Sequence, residues 1–299
     1  MQAFAEYTLV GLTVGSFYAL ATLGYTIVYG IVRLINFAHG NLVVLGAFMG
    51  WTLLSLPFIR AMPAWASILI AFTAAMLAAA ALSVIILRVA YAPVLSRSAF
   101  ATLITALGMS LVIQYTTIII WGPEYQAYPA LLPSTGITVG GVFISNARIV
   151  LVAAAVVLMI ALYLWVEHTT MGTAMRALAL DHQTARLVGI NVNLIIAVAF
   201  AVSGGLGAAA GVMIGLYYTQ ISFNLGFSLS LKLFTAAVLG GIGSIQGAMV
   251  GGVLIGLLEA YTSGYLSGRW QDVIVFGILI AVLVLRPRGI FGERVAQRM

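Results

Sequence analysis

Between Arg33 and Asn41 the chain reads Arg-Leu-Ile-Asn-Phe-Ala-His-Gly-Asn, and Asn36, His39 and Asn41 gather polar side chains where two long apolar stretches meet. At a helix start such groups can cap free backbone N–H donors. The positive end of a half-helix inside a bundle can also face an anionic group of a solute. Two readings stand: an interfacial cap with a satisfied histidine, or a broken helix lining a solute path through Asn36, His39 and Asn41. The second stretch is Leu239 to Gly247, where Gly240, Gly241 and Gly243 precede Ser244 and Gln246. Glycines so close together interrupt a helix and free backbone groups that lipid cannot satisfy, so the break is expected at membrane depth beside protein or a water-filled cavity. Gly240, Gly241, Gly243, Ser244 and Gln246 are therefore assigned to the same path. No lysine stands where a phosphate loop needs one and no strand precedes the glycines, so nucleotide binding by this chain is excluded.

The third segment is the loop from about 167 to 193, the longest polar stretch of the chain. Met171, Met175, Leu178 and Ala179 fall on one helical face, and Asp181 with its followers can begin a second short helix. An apolar stripe outside the lipid calls for a protein groove, or else for the bilayer surface. His168 and His182 lie in this loop without acidic partners at metal spacing, and no metal site is expected. There is no Ser-His-Asp set, HExxH motif or pair of intramembrane carboxylates, which argues against an intramembrane hydrolase and against a proton relay.

The elements that must position these segments follow from composition. Hydrophobic residues make up 63% of the 299 and charged residues 7%, against about 25% charged in soluble chains. The chain is a polytopic membrane protein, and its net charge of +6 speaks of topology, not of nucleic acid. Without cysteine, neither disulfides nor thiolate metal sites arise. Charge-free runs Tyr7 to Val32, Leu34 to Ile59, Ala61 to Leu87 and Ser98 to Pro123 each exceed the ~20 residues a membrane helix needs. A short run follows at Ile149 to Val166, then the longest at Leu187 to Leu231 and a glycine-broken one at Leu233 to Leu258, and a last helix is expected to begin near Ser267, with Arg269 and Asp272 tilted toward an interface. The expectation is an all-α transmembrane bundle of about eight spanning helices, with Lys232 to Gly243 as a ninth, shorter, broken or re-entrant piece. Basic residues mark the cytoplasmic side: Arg33, Arg88, Arg97, Arg176, Arg186 and the tail arginines 286, 288, 294 and 298 inside, Arg60 and Arg148 outside. A cytoplasmic tail then requires the broken piece to cross. The first apolar stretch is too long, and lacks the basic start, for a secretory signal, so it is expected to remain as a helix. Glycines four apart, such as Gly11 and Gly15 or Gly252 and Gly256, predict close helix packing.

Three separated motifs resemble the H-type permease subunit of branched-chain amino acid ABC importers. They are Gly24 to Gly30 running into Ile35-Asn36-Phe37-Ala38-His39-Gly40, Ala237 to Ser244, and Leu285-Arg286-Pro287-Arg288-Gly289-Ile290-Phe291-Gly292. The importers' EAA-x3-G signature falls on Gln183-Thr184-Ala185 and Gly189, of which Ala185 and Gly189 fit. The resemblance implies one permease domain over residues 1–299 in a bacterial inner membrane, with a cytoplasmic coupling loop in which Met171, Met175, Leu178, Ala185, Leu187 and Gly189 meet an ATPase. It also implies a second related permease or second copy, two cytoplasmic ATPase subunits and a periplasmic amino-acid-binding protein as partners. This chain itself would bind no cofactor, ATP being used by the partners. A neutral path suits a zwitterionic solute. The competing class is a self-sufficient channel or secondary carrier for a small neutral solute such as urea or a short amide.

Overall fold

Twelve helices carry the chain in a computed structural model that describes residues 2–95, 97–133, 135–286 and 288–292. α1 (Gln2–Val32) is followed by α2 (His39–Ser55), a single turn α3 (Pro57–Arg60), α4 (Ala64–Ile86) and α5 (Ala99–Trp121). Then come α6 (Asn146–His168), the pair α7 (Thr170–Leu180) and α8 (His182–Leu187), α9 (Val192–Tyr218), α10 (Leu225–Gly240), α11 (Ile245–Tyr265) and α12 (Gln271–Leu285). Two small antiparallel pairs decorate the end opposite α7 and α8: β1 (Gln126–Ala127) with β4 (Gln220–Ile221), and β2 (Gly136–Val139) with β3 (Val142–Ser145).

Seven helical segments are long and apolar enough to cross a membrane: α1, α4 with its continuation to Tyr91, α5, α6, α9, α11, and α12 with the turn before it. Two shorter ones, α2 with 17 residues and α10 with 16, complete the alternation. The shorter piece expected at Lys232 to Gly243 therefore starts earlier, at Leu225, and its passage brings the tail back to the side of α7. Arg33, Arg88, Arg97, Arg176, Arg186, Arg286 and Arg288 gather at that end, and Arg60, Arg148 and Arg269 at the other; Arg294 and Arg298 lie outside the described residues. The arginine-rich end is cytoplasmic by the positive-inside rule.

α1 and α9 form the centre, buried along 89% and 72% of their most apolar stretches, whereas α12 is buried along 6% and presents its side chains outward. α1 packs against α11 through the expected glycine pairs. A methyl group on Gly252 would lie 2.3 Å from the Ala19 backbone, and one on Gly256 2.3 Å from that of Gly15. Neither helix could keep this spacing with a larger residue there.

Candidate translocation path and coupling face

α1 ends at Val32, and Arg33 turns the chain back in the left-handed region with φ 54°. The return is deep. The Nε2 of His39, the first residue of α2, lies 2.9 Å from the carbonyl of Ala21, ~16 Å of helix from the end of α1. α2 thus starts inside the bundle. Because a carbonyl only accepts, Nε2 carries the proton, and Nδ1 accepts from the Ser203 hydroxyl at 3.3 Å. The Asn36 Oδ1 accepts from the Ala38 N–H at 3.1 Å and from the Tyr91 hydroxyl at 2.7 Å. Tyr91 closes a π-helical turn, Leu87–Tyr91, that extends α4. The Asn41 Nδ2 donates to the carbonyl and hydroxyl of Ser110 at 3.0 and 2.6 Å. The Gly40 N–H donates to the Ser230 hydroxyl, which donates to the Phe37 carbonyl. Asn36, His39 and Asn41 are all buried, and these bonds run to the chain's own backbone and hydroxyls.

The glycine stretch lies elsewhere. α10 ends at Gly240, Gly241 and Gly243 turn with φ 108° and 93°, and Ser244 caps α11 by accepting the Gly247 N–H at 3.1 Å. Starting at Leu225, α10 has advanced ~24 Å by then, so the turn sits at the arginine-rich end, not at the membrane depth expected from sequence, and Gln246 is exposed. Its freed carbonyls are satisfied by protein: Leu239 accepts from the Ile290 N–H and Gly240 from the Phe291 N–H, each at 2.9 Å. Two motifs 50 residues apart in sequence are therefore one structural unit.

At the same end α7 and α8 form a hairpin under the bundle. Gly172 permits the reversal after α6, since a methyl group there would meet the Val166 carbonyl. Met175, Leu178 and Ala185 are buried against the chain's own helices and Met171 partly so; the protein groove expected for the apolar stripe is supplied from within. Leu180, Leu187 and Val188 point outward, 84%, 87% and 70% exposed, and Gly189 turns beside them with φ 84°. The His182 Nε2 donates to the Ile31 carbonyl at 2.7 Å, joining the hairpin to the end of α1. Asp181 caps α8; bonds from the Thr184 hydroxyl and the Gln183 N–H hold its carboxyl below the usual aspartate range.

A charged cluster that sequence spacing did not reveal lies toward the other end. Read from charge gaps, Lys232 marks a helix boundary; instead it sits inside α10, mostly buried, with Nζ 2.6 Å from Glu259 Oε1 on α11 and 2.9 Å from Asp272 Oδ1 on α12. The Tyr18 hydroxyl donates to Glu259 Oε2 at 2.8 Å. Asp272 is thus an ion-pair partner and not only an interfacial residue. A lysine in an apolar stretch is the signal that demanded a counter-charge, and Glu259 and Asp272 were the acids near it.

Residues 7–283 match the family model described as branched-chain amino acid transport system / permease component. The chain belongs to this permease family. The permease is 41% identical to the high-affinity branched-chain amino acid transport system permease protein BraD of Pseudomonas aeruginosa, over 95% of this chain and 94% of that one. It is 38% identical to LivH of Escherichia coli K12, over 97% and 96%. Among solved structures, PsaBC from Streptococcus pneumoniae in complex with Fab aligns over 95% of the permease and 92% of that chain at 14% identity, with a TM-score of 0.44.

One face of the permease's central helix is unusual. Thr13, Thr52, Thr105, Thr117 and Thr235 each turn their hydroxyl back to the carbonyl four residues earlier. Thr22 and Thr26 of α1 do not. They share a face with Tyr18 and Tyr25 at helical spacing, and the hydroxyls of Thr22, Tyr25 and Thr26 are buried without a hydrogen-bond partner. Unpaired buried polar groups of this kind cost about 1–3 kcal/mol each.

Proposed function

We propose that the chain is the membrane-spanning subunit through which branched-chain amino acids cross, driven by separate ATPase subunits docked on the α7–α8 hairpin and supplied by a binding protein on the opposite side. A second permease, related or identical, completes the path, and this chain holds no ATP itself. The observation that carries the reading is the hairpin: it lies at the arginine-rich end, exposes Leu180, Leu187 and Val188, and is tied to α1 through His182. Three apolar side chains exposed beyond the membrane-length helices suit a protein partner, and a hairpin anchored to the central helix can pass that partner's movement into the bundle. The names of the relatives support the choice of solute.

The partner contact rests on Leu187 and Gly189 among the coupling residues, with Leu180 and Val188 beside them, while Met175, Leu178 and Ala185 hold the hairpin in place. Co-expressed with its ATPases, second permease and binding protein in membrane vesicles, the chain should support ATP-dependent leucine uptake; alone it should support none. Leu187→Glu should lower uptake at least roughly tenfold, a loss of about 1.4 kcal/mol or more at the contact, with no change in thermal midpoint. Leu178→Glu should instead prevent folding. Uptake by the isolated chain, or full uptake by Leu187→Glu, favours a self-sufficient channel or carrier.

A further inference from the structure

Lys232, Glu259 and Asp272 hold one positive and two negative charges, so the cluster keeps one net negative charge in a chain whose total is +6. Among the described residues no other lysine or arginine pairs with either acid. An ionised group among apolar helices costs a few kcal/mol and persists where it serves a path or a ligand. Glu259 also forms part of the wall of a cavity of about 420 Å³ between α1, α9, α11 and α12, at the end opposite the α7–α8 hairpin. Tyr7, Tyr218, Ser263 and Gln271 share that wall with the apolar Val14. Lys232 and Tyr18 hold the two carboxylate oxygens of Glu259; released from the lysine, a carboxylate beside two tyrosine rings is the chemistry that receives an ammonium group, and the apolar wall suits an aliphatic side chain. The volume lies within the range of small-molecule sites. The second observation is independent of charge: Tyr18, bonded to Glu259, heads the face of α1 on which Thr22, Tyr25 and Thr26 keep unpartnered hydroxyls.

We propose that this cavity is the external receiving site for the ammonium group of the amino-acid solute, with Glu259 as its counter-ion, and that the solute's polar end then follows the hydroxyl face of α1 inward. Lys232 takes back the Glu259 carboxylate when the solute leaves. The proposal rests on the amino-acid reading above and names the groups that carry it out.

The absence of native cysteine permits a direct test in the assembled transporter. Ser263→Cys is labelled from outside with a trimethylammonium thiosulfonate and with a sulfonate-bearing one, each rate being divided by that reagent's rate with a free thiol. The cationic reagent should be favoured roughly tenfold, since the charged side chain in that wall is a carboxylate and local charge concentrates the opposite sign. Leucine should slow labelling, and 4-methylpentanoate, which lacks the ammonium group, should not. Glu259→Gln leaves Lys232 paired with Asp272, so the bundle keeps its ion pair; in that background both the preference and the leucine effect should vanish. Absence of labelling, equal normalised rates, or leucine protection that survives Glu259→Gln overturns the site. The amino-acid reading fails separately, if the assembled transporter with native Ser263 takes up no leucine.

Discussion

Two polar regions of this permease differ in the way their hydrogen bonds are used. In the segment from Asn36 to Asn41 the side chains bond inward to α1, α5, α9 and the turn at Tyr91, the backbone bonds to Ser230 on α10, and the arrangement is closed on itself. At Lys232, Glu259 and Asp272 the charges do not cancel, and one of them borders a cavity. The first region is satisfied within the chain; the second leaves an unbalanced charge beside a cavity. Polarity inside a membrane bundle is therefore no guide to a solute path until its partners are counted.

The sharpest way to break this contrast is Gly40→Ala. The added methyl would lie 2.3 Å from the Gly226 carbonyl and 2.4 Å from the Ser230 nitrogen, both backbone atoms that cannot swing away. We expect a cost beyond the ~1–3 kcal/mol of ordinary overpacking and no monodisperse peak in size-exclusion chromatography, whereas Gly277→Ala, with open space around it, should elute normally. Next is Lys232→Met, which strands the buried Glu259 carboxylate and should lower stability by about 3–5 kcal/mol. Adding Glu259→Gln should restore most of that loss in a thermal unfolding scan while transport stays impaired. A smaller effect, about 1–3 kcal/mol from the Ser203 hydroxyl left without its partner, is expected for His39→Ala. It should disturb transport more than Arg60→Ala, whose exposed guanidinium has one bond, to the Leu54 carbonyl at 3.2 Å; equal uptake by the two variants would erase the distinction. Smallest is Tyr91→Phe, which leaves the Asn36 Oδ1 one donor fewer and should cost about 1 kcal/mol with uptake retained. A large loss of uptake there would move Asn36 into the path.

Much of the architecture was readable from charge gaps because lipid forbids long polar interruptions. The long helices α1, α4, α5 and α6 fall inside or near those gaps, and the glycine pairs of α1 and α11 were visible as four-residue spacings. Three things escaped. The depth of His39 is set by a contact with Ala21, and no local pattern tells whether a chain reversing at Arg33 stops at the surface or returns inward. The position of the glycine turn depends on where α10 begins, and Leu225 follows the end of α9 without a charge to mark it. The stripe on α7 has the periodicity of a docking face, yet periodicity records only that a face is buried, and Met175 and Leu178 are buried within the same chain. The charged cluster is hidden for a related reason: Lys232, Glu259 and Asp272 meet only when three helices assemble.

The pairing of Ile290 and Phe291 with the end of α10 also sets an order of events during synthesis. The carbonyls of Leu239 and Gly240 emerge 51 residues before the N–H groups that satisfy them, a delay on the order of seconds at ribosomal speeds of about 5–20 residues per second. Until α11 and α12 have been made and inserted, the α10 turn must keep water or a chaperone at those positions. The cytoplasmic face around this turn is thus among the last surfaces of the permease to be finished.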